Sequence, residues 1–283
     1  MIVTNCHLYE NRGVGLYLDD LNLHQINVTG CHISYNAGGG VVSRGGNVRN
    51  LHVTGCDIEG NMTADSPSTA NVLIDCTGGA AGTAEVSIVG CTIQHTYLGP
   101  DSANVRFVGS DAQDRRWGHV TIGNNVFSDA QINVDVARAR GVTITGNTFW
   151  QGHQYNLRVV DSSNLVVGSN NLDRNPNYVW SKSDEARRAV LFEGCQDATI
   201  AGLHINGVQG APAGVQLKNC RRFNLTGCSI LDCHNAGLLI ENVADSRVSD
   251  CLIRNDLPDQ EDWCEVVMTG DNEGLSTDFA LPK

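Results

Sequence analysis

The chain of 283 residues carries a formal net charge of −12, and 41% of its residues are hydrophobic. Such an acidic protein is a poor electrostatic match for phosphate backbones, so we expect no nucleic-acid ligand. No window of 18 apolar residues occurs, which predicts that there is no transmembrane helix. The first residues do not resemble a secretory signal peptide, and the eleven cysteines form no CxxC pair or Cys/His cluster typical of zinc.

A six-residue phrase, apolar-x-Gly-(Cys/Asn)-x-apolar, recurs from the first residues onward, as at residues 3–8, 28–33 and 53–58. We call its fourth position the ladder position, and it is occupied by Cys6, Cys31, Cys56, Cys91, Asn125, Asn147, Asn170, Leu203, Cys228 and Cys251. Successive ladder positions are 22 to 35 residues apart. Self-similarity at such a period predicts a solenoid, here of about ten coils.

A second phrase, Gly/Asn-apolar-x-apolar, lies between the ladder positions, as at residues 15–18, 104–107 and 156–159. Alternation of this kind predicts a strand with one buried face. Each repeat therefore contains short strands and tight turns, and no segment of helix length. Because such a unit cannot bury its apolar face alone, it has to stack on its neighbours.

Parallel stacking explains the ladder position. Neighbouring coils lie about 4.8 Å apart, so equivalent residues align in a column. Asn125, Asn147 and Asn170 are expected to form an amide ladder, and cysteine occupies the same column elsewhere as a small apolar residue. Cys195 and Cys220 begin a similar column. Free structural thiols are the favoured interpretation, and a disulfide framework is the alternative.

These phrases resemble the repeats of the pectin-lyase-like superfamily of right-handed parallel β-helix proteins over residues 1 to about 270. The resemblance implies an all-β domain over residues 1–270, a tail over 271–283, and a secreted or cell-surface location. It implies no single activity, because lyases, hydrolases, epimerases, tailspikes and non-enzymatic proteins share this fold. Members usually begin with a cap, whereas Met1 lies within a coil phrase, so we expect a missing capping segment or a homo-oligomer.

The turns before the second strand differ in length. Long turns at residues 57–71, 92–104 and 171–189 flank coils five and six, whose turns are the shortest. Insertions on one face of a solenoid often mark its binding face. We therefore predict a cleft with walls from coils three, four and seven, and with the outward face of coils five and six as its floor.

The outward column of this floor is mostly apolar but contains Arg106, Asp135 and Arg158 at its centre, and these are the predicted catalytic residues. The predicted substrate-binding residues are Tyr97, Trp150, His153, Tyr155, Tyr178, Trp180, Glu193 and Lys218. Aromatic side chains over a charged floor are suited to a sugar ring. We call Arg106, Asp135 and Arg158 the triad. The alternative is that these three side chains only neutralise one another's charges on the protein surface and bind no ligand.

Two reactions on an acidic polysaccharide fit this cleft. In a lyase, Arg106 and Arg158 would act as base and carboxylate clamp, with Asp135 orienting them. Resemblance to pectate-lyase-like proteins implies either no cofactor or calcium, with Asp75 or Glu193 as ligands. A hydrolase would pair Asp135 with Asp75 or Glu193. Polygalacturonase motifs are absent, and a non-catalytic carbohydrate-binding or tailspike-like solenoid is the alternative class.

Overall fold

The computed structural model describes residues 1–78, 81–110, 117–177, 182–258 and 260–279. Over these ranges the one helical segment is a 3-10 turn at Ser183–Glu185, and the β-strands pair in parallel. None of the described helical structure is long or apolar enough to cross a membrane. The chain winds as a stack of coils, and the predicted parallel β-helix is confirmed.

Sheet 1 contains the strand that ends at the Val-Thr-Gly phrase of each coil, and eleven such strands stack in the described residues. Its strands are Ile2–Thr4 (β1), Asn22–Thr29 (β4), Asn47–Thr54 (β7), Ala84–Val89 (β10), Gly118–Gly123 (β13), Arg140–Thr145 (β15), Ser163–Gly168 (β17), Gln196–Ala201 (β20), Arg221–Thr226 (β23), Arg247–Ser249 (β26) and Ser276–Thr277 (β29). Because β29 pairs with β26, the stack extends past the boundary predicted at residue 270.

Sheet 2 begins directly after the ladder position. Its separate strands are His7–Tyr9 (β2), His32–Ser34 (β5), Asp57–Glu59 (β8), Thr92–Gln94 (β11), Asn171–Asp173 (β18), His204–Asn206 (β21), Ser229–Leu231 (β24) and Leu252–Arg254 (β27). Each of these strands is short and buries mainly its central residue, as Ile33, Ile58 and Ile93 show.

Sheet 3 follows the turns of variable length. Its separate strands are Leu16–Asp19 (β3), Val41–Arg44 (β6), Ala70–Asp75 (β9), Ala103–Val108 (β12), Ala189–Glu193 (β19), Val215–Lys218 (β22), Ala236–Glu241 (β25) and Cys264–Thr269 (β28). In coils five and six, Val126–Ala137 (β14) and Thr148–Val160 (β16) run from sheet 2 into sheet 3 as continuous bent strands. The two coils with the shortest turns thus form an uninterrupted surface.

The ladder residues stack as predicted. The backbone N–H of Cys31 points to Sγ of Cys56 at 3.4 Å. Asn125 donates from both its backbone nitrogen and Nδ2 to Oδ1 of Asn147, each at 3.0 Å. All eleven cysteines are free thiols, which confirms the favoured interpretation.

A second amide ladder, which the sequence analysis missed, lines the bend before sheet 3. It consists of Asn36, Asn61, Asn71, Asn104, Asn133 and Asn156. These side chains are buried, and the Nδ2–Oδ1 distance is 2.7 Å both from Asn36 to Asn61 and from Asn104 to Asn133. Buried amides need such partners, so this ladder holds the bend in register where the turns differ in length.

The interior is filled by apolar columns. Phe127 stacks on Phe149 with ring centroids 5.0 Å apart, and Phe192 meets Phe223 edge-on at 5.9 Å. The first coil is more open, because its inward residue Val3 is only partly buried and Ile2 is 74% exposed. The predicted cap or homo-oligomer stays a prediction.

Candidate functional site

The predicted triad forms in sheet 3. Arg106 pairs in register with Asp135, and Asp135 pairs with Arg158, between Leu73 on one side and Leu191 on the other. Nε of Arg106 donates to Oδ2 of Asp135 at 2.8 Å, whereas Nη1 of Arg158 lies 3.5 Å from Oδ1. The predicted register of this column is confirmed.

The prediction that this column faces open solvent is wrong for most of it. The side chains of Arg106 and Asp135 are each only 8% exposed. Residues of the long turns cover Arg106: its Nη1 donates to Oγ of Ser68 at 2.9 Å, and its Nη2 lies 3.2 Å from Oδ1 of Asp101. The turns of coils three and four therefore lie over Arg106 in coil four, next to the predicted floor of coils five and six.

Arg158 differs from Arg106 in its surroundings. Its side chain is 37% exposed, and its ion pair with Asp135 is the longer of the two. Both carboxylate oxygens of Asp135 thus face a guanidinium group, which is unfavourable for a nucleophile or base. Arg158 is the member of the triad that solvent, or a ligand, can reach.

Tyr97 and His153 meet at the edge of this surface, where the rings stack with centroids 4.9 Å apart and planes inclined by 24°. Burial, together with the positive charges of Arg188 and Lys182, lowers the pKa of His153 to about 4 against the opposing effect of Glu185. At neutral pH the imidazole is therefore uncharged. The pair offers a half-buried aromatic surface.

Arg188 lies buried beneath this pair. Its Nη1 and Nη2 donate to the carbonyls of Ala186 and Ser183 at 2.8 and 2.7 Å, and its Nε donates to the carbonyl of Trp150 at 3.4 Å. Burial lowers its pKa to about 10. The guanidinium group thus joins the turn of coil seven to the first residues of β16.

The remaining predicted binding residues are more scattered. Tyr155 is half-buried, pairs with Ile132 in the column next to the triad, and packs on the small apolar cluster there. Lys218 neighbours Glu193 in register, but its Nζ pairs with Glu241 at 3.3 Å. Tyr178 and Trp180 lie outside the described residues.

Asp75 and Glu193, the predicted calcium ligands, lie in one column but do not meet. Val108, Ala137 and Val160 separate them, one in each coil. Four coil steps correspond to about 19 Å, so these two carboxylates cannot bind one ion together. Calcium binding at either residue alone stays a prediction.

A row of acidic and histidine side chains at the end of sheet 2 was missed. Nδ1 of His95 lies 3.1 Å from Oε2 of Glu59, and its Nε2 lies 3.5 Å from Oδ2 of Asp129. Asp129 is fully buried, and burial raises its pKa to about 6, against the lowering effects of His95 and Ser128. We call Glu59, His95 and Asp129 the acid–histidine row.

The backbone explains how this row forms. His95 follows β11 by one residue, whereas Asp129 lies at the bend within β14, and both have a left-handed backbone with φ of 63° and 51°. Gly60 takes the same position and conformation one coil earlier. His and Asp are among the residues that tolerate this region. Aligning the outward residues of sheet 2 from coil to coil, as was done for sheet 3, would have predicted the positions of Glu59 and Asp57.

Comparisons with known proteins bear on the fold. The family described as "Right handed beta helix region" matches residues 1–93, and a search of curated proteins found no match. The A-module of the mannuronan C-5 epimerase AlgE4 of Azotobacter vinelandii is 12% identical, with a TM-score of 0.40 over 98% of this chain and 89% of its own. The surface protein and adhesin PfbA of Streptococcus pneumoniae is 10% identical, with a TM-score of 0.40 over 91% and 77%.

The catalytic domain of a GH87 alpha-1,3-glucanase in complex with nigerose is also similar. It is 12% identical, with a TM-score of 0.33 over 96% of this chain and 64% of its own. Likenesses this distant say nothing about a site or a ligand. The chain is a right-handed parallel β-helix protein.

Proposed function

We propose that this protein binds an acidic polysaccharide on the outer face of coils four to seven, with Arg158 as the cation that contacts sugar carboxylates. The observation that carries this proposal is the asymmetry of the triad. Arg106 is buried and satisfied by Asp135, Asp101 and Ser68, whereas Arg158 is 37% exposed and lies 3.5 Å from its partner. Guanidinium groups bind carboxylates in a planar, two-pronged geometry.

The aromatic residues support the same ligand. Tyr97 and the uncharged His153 form a stacked surface, and Tyr155 lies half-buried on the strand that carries Arg158. The C–H face of a sugar ring packs on such surfaces while its hydroxyl groups remain hydrated. A local cation also lets a polyanion approach a protein whose net charge is −12.

For catalysis, we propose lyase-type elimination with the acid–histidine row as the proton-transfer groups, on a sugar unit other than the one that contacts Arg158, because Asp129 lies six residues before Asp135 along β14. Elimination from a uronate needs a base for the α-proton and an acid for the leaving oxygen. The row contains His95, whose side chain is 33% exposed, in contact with the buried Asp129, whose pKa is about 6. Arg106 fits the role of base less well, because it would have to leave two ion pairs.

The experiment is a screen of polygalacturonate, alginate and hyaluronan, with dextran as the uncharged control. Binding is read by affinity electrophoresis, elimination by the ultraviolet absorbance of the unsaturated product, and hydrolysis by new reducing ends. Binding to a uronate polymer with ultraviolet product supports both proposals. Binding without product favours the non-catalytic solenoid, reducing ends alone favour a hydrolase, and absence of binding to all uronate polymers overturns the proposed function.

A further inference from the structure

A second group of side chains lies on the outer face of sheet 2 in coils two and three. His32 pairs in register with Asp57, and Glu59 follows two residues later on the same face. Nε2 of His32 lies 3.7 Å from Oδ2 of Asp57 and 3.7 Å from Oε1 of Glu59. The three ligand atoms all lie within 4.8 Å of one another.

These distances are too long for hydrogen bonds. Nε2 of His32 is buried and has no hydrogen-bond partner in the described part of the chain, although two carboxylate oxygens face it. A buried polar atom without a partner is unfavourable, and so are two neighbouring carboxylates. The group therefore has the polar atoms of a cation-binding site.

We propose that His32, Asp57 and Glu59 bind one divalent transition-metal ion of the zinc type. Zinc binds imidazole nitrogen and carboxylate oxygen at about 2.0–2.2 Å, so tetrahedral ligand atoms lie about 3.3–3.6 Å apart. The observed separations of 3.7 Å are close to this spacing. Three protein ligands leave a fourth position for water, which is the arrangement of open zinc sites.

The second oxygen of Glu59 is already held in place. Its Oε2 accepts a hydrogen bond from Nε2 of Gln94 at 3.2 Å and lies 3.1 Å from Nδ1 of His95. Such contacts orient a ligand carboxylate and leave Oε1 directed at His32. The ring of His7 also packs edge-on against His32, with centroids 4.9 Å apart.

The ligand set selects the ion. Calcium prefers six to eight oxygen ligands and magnesium prefers oxygen in octahedral geometry, whereas imidazole is suited to zinc and similar ions. This site is therefore distinct from the calcium site predicted at Asp75 or Glu193. It does not depend on the polysaccharide binding proposed at Arg158, but it shares Glu59 with the acid–histidine row, so His32→Ala is the variant that tests the metal site alone.

The test is calorimetric titration of zinc chloride into EDTA-treated, dialysed protein that carries Cys264→Ser, because Cys264 is the exposed thiol. We expect one equivalent of zinc per chain, and at least tenfold weaker binding in His32→Ala and in Glu59→Gln. His52→Ala is the matched control, since His52 is exposed on sheet 1 and outside the group. Calcium chloride should bind much more weakly at this site.

Replacing zinc by cobalt identifies the metal ligands from the visible spectrum, whatever effect the variants have on the stability of the protein. We expect the visible bands of a cobalt ion with nitrogen and oxygen ligands, present in His52→Ala and lost in His32→Ala. Unchanged circular dichroism of the variants shows that the fold persists. Absence of zinc binding, equal affinity in the wild type and His32→Ala, or a thiolate-to-cobalt absorption band would overturn the proposal.

Discussion

Nε of Arg106 lies 2.8 Å from Oδ2 of Asp135, both side chains are buried, and the turns of coils three and four contact Arg106. On the other side of Asp135, Arg158 makes a longer contact and remains 37% exposed. One carboxylate thus separates a structural arginine from an accessible one. This difference allows the two roles to be tested separately.

Arg106→Ala is predicted to destabilise the protein by about 3–5 kcal/mol, because it leaves Asp135 buried beside a single distant cation. The measurement is urea denaturation followed by circular dichroism. The double variant Arg106→Leu with Asp135→Leu is the matched control. It should recover most of the loss, since Leu73 and Leu191 occupy the same column in neighbouring coils. A loss below 1 kcal/mol in the single variant would contradict the buried pair.

The stability of the protein should depend on pH through Asp129, whose folded pKa of about 6 lies above its usual 3.8. Between these values the folded state retains a proton that the unfolded state has released. Unfolding free energy therefore falls as pH rises through this window, by at most about 3 kcal/mol. Above the folded pKa of Asp129, the unfolding free energy stays at this lower value.

Asp129→Asn isolates this effect. The variant should match the wild type near about pH 4 and exceed its melting temperature above about pH 6, because asparagine carries no charge to bury. Melts in EDTA at several pH values measure the difference. A difference that does not change with pH would show that Asp129 keeps an ordinary pKa in the folded protein.

Arg188→Gln should raise the pKa of His153 from about 4, because one of the cations that lower it is removed. The value should stay below 6.5, since burial is the larger cause. Proton NMR of the histidine rings against pH measures this. His234 serves as an internal control, because burial and Arg174 lower its pKa. An unchanged His153 would contradict the proximity of Arg188.

The cysteines should react in two classes. Cys264 is exposed and should be alkylated in the folded protein, whereas burial raises the pKa of Cys195 and Cys233 to about 12 and suppresses their thiolates. Mass spectrometry after alkylation should show modification of the buried thiols only after unfolding without reductant. Five disulfides under those conditions would contradict the free thiols.

The coil register could be predicted from the sequence with little information beyond the ladder position. Residues from Cys6 to Cys251 mark equivalent positions, and the outward column that contains Arg106, Asp135 and Arg158 pairs in the structure as the alternation predicted. Parallel stacking with a period of two residues leaves little freedom here. Burial of Arg106 could not be predicted, because periodicity does not specify how long turns pack.

The acid–histidine row and the zinc-type group differ in how far the coil register predicts them. His32, Asp57 and Glu59 could be found by applying the same register to sheet 2. His95 and Asp129 were harder to find, because they lie at a bend where each residue takes a left-handed backbone. Alternation of side chains along a strand does not hold across such a bend.

The most direct test of the proposed function is titration of the wild type and Arg158→Ala with the uronate polymer that binds best in the screen. Loss of one charge-assisted contact of about 1.5–3 kcal/mol predicts affinity weakened by about 10- to 100-fold. The unfolding free energy should change by less than about 1 kcal/mol, because the lost ion pair is partly exposed and Asp135 keeps Arg106. Arg12→Ala, on the first coil, should bind as the wild type does. Undiminished affinity in Arg158→Ala would contradict the assignment of this surface to an acidic polysaccharide.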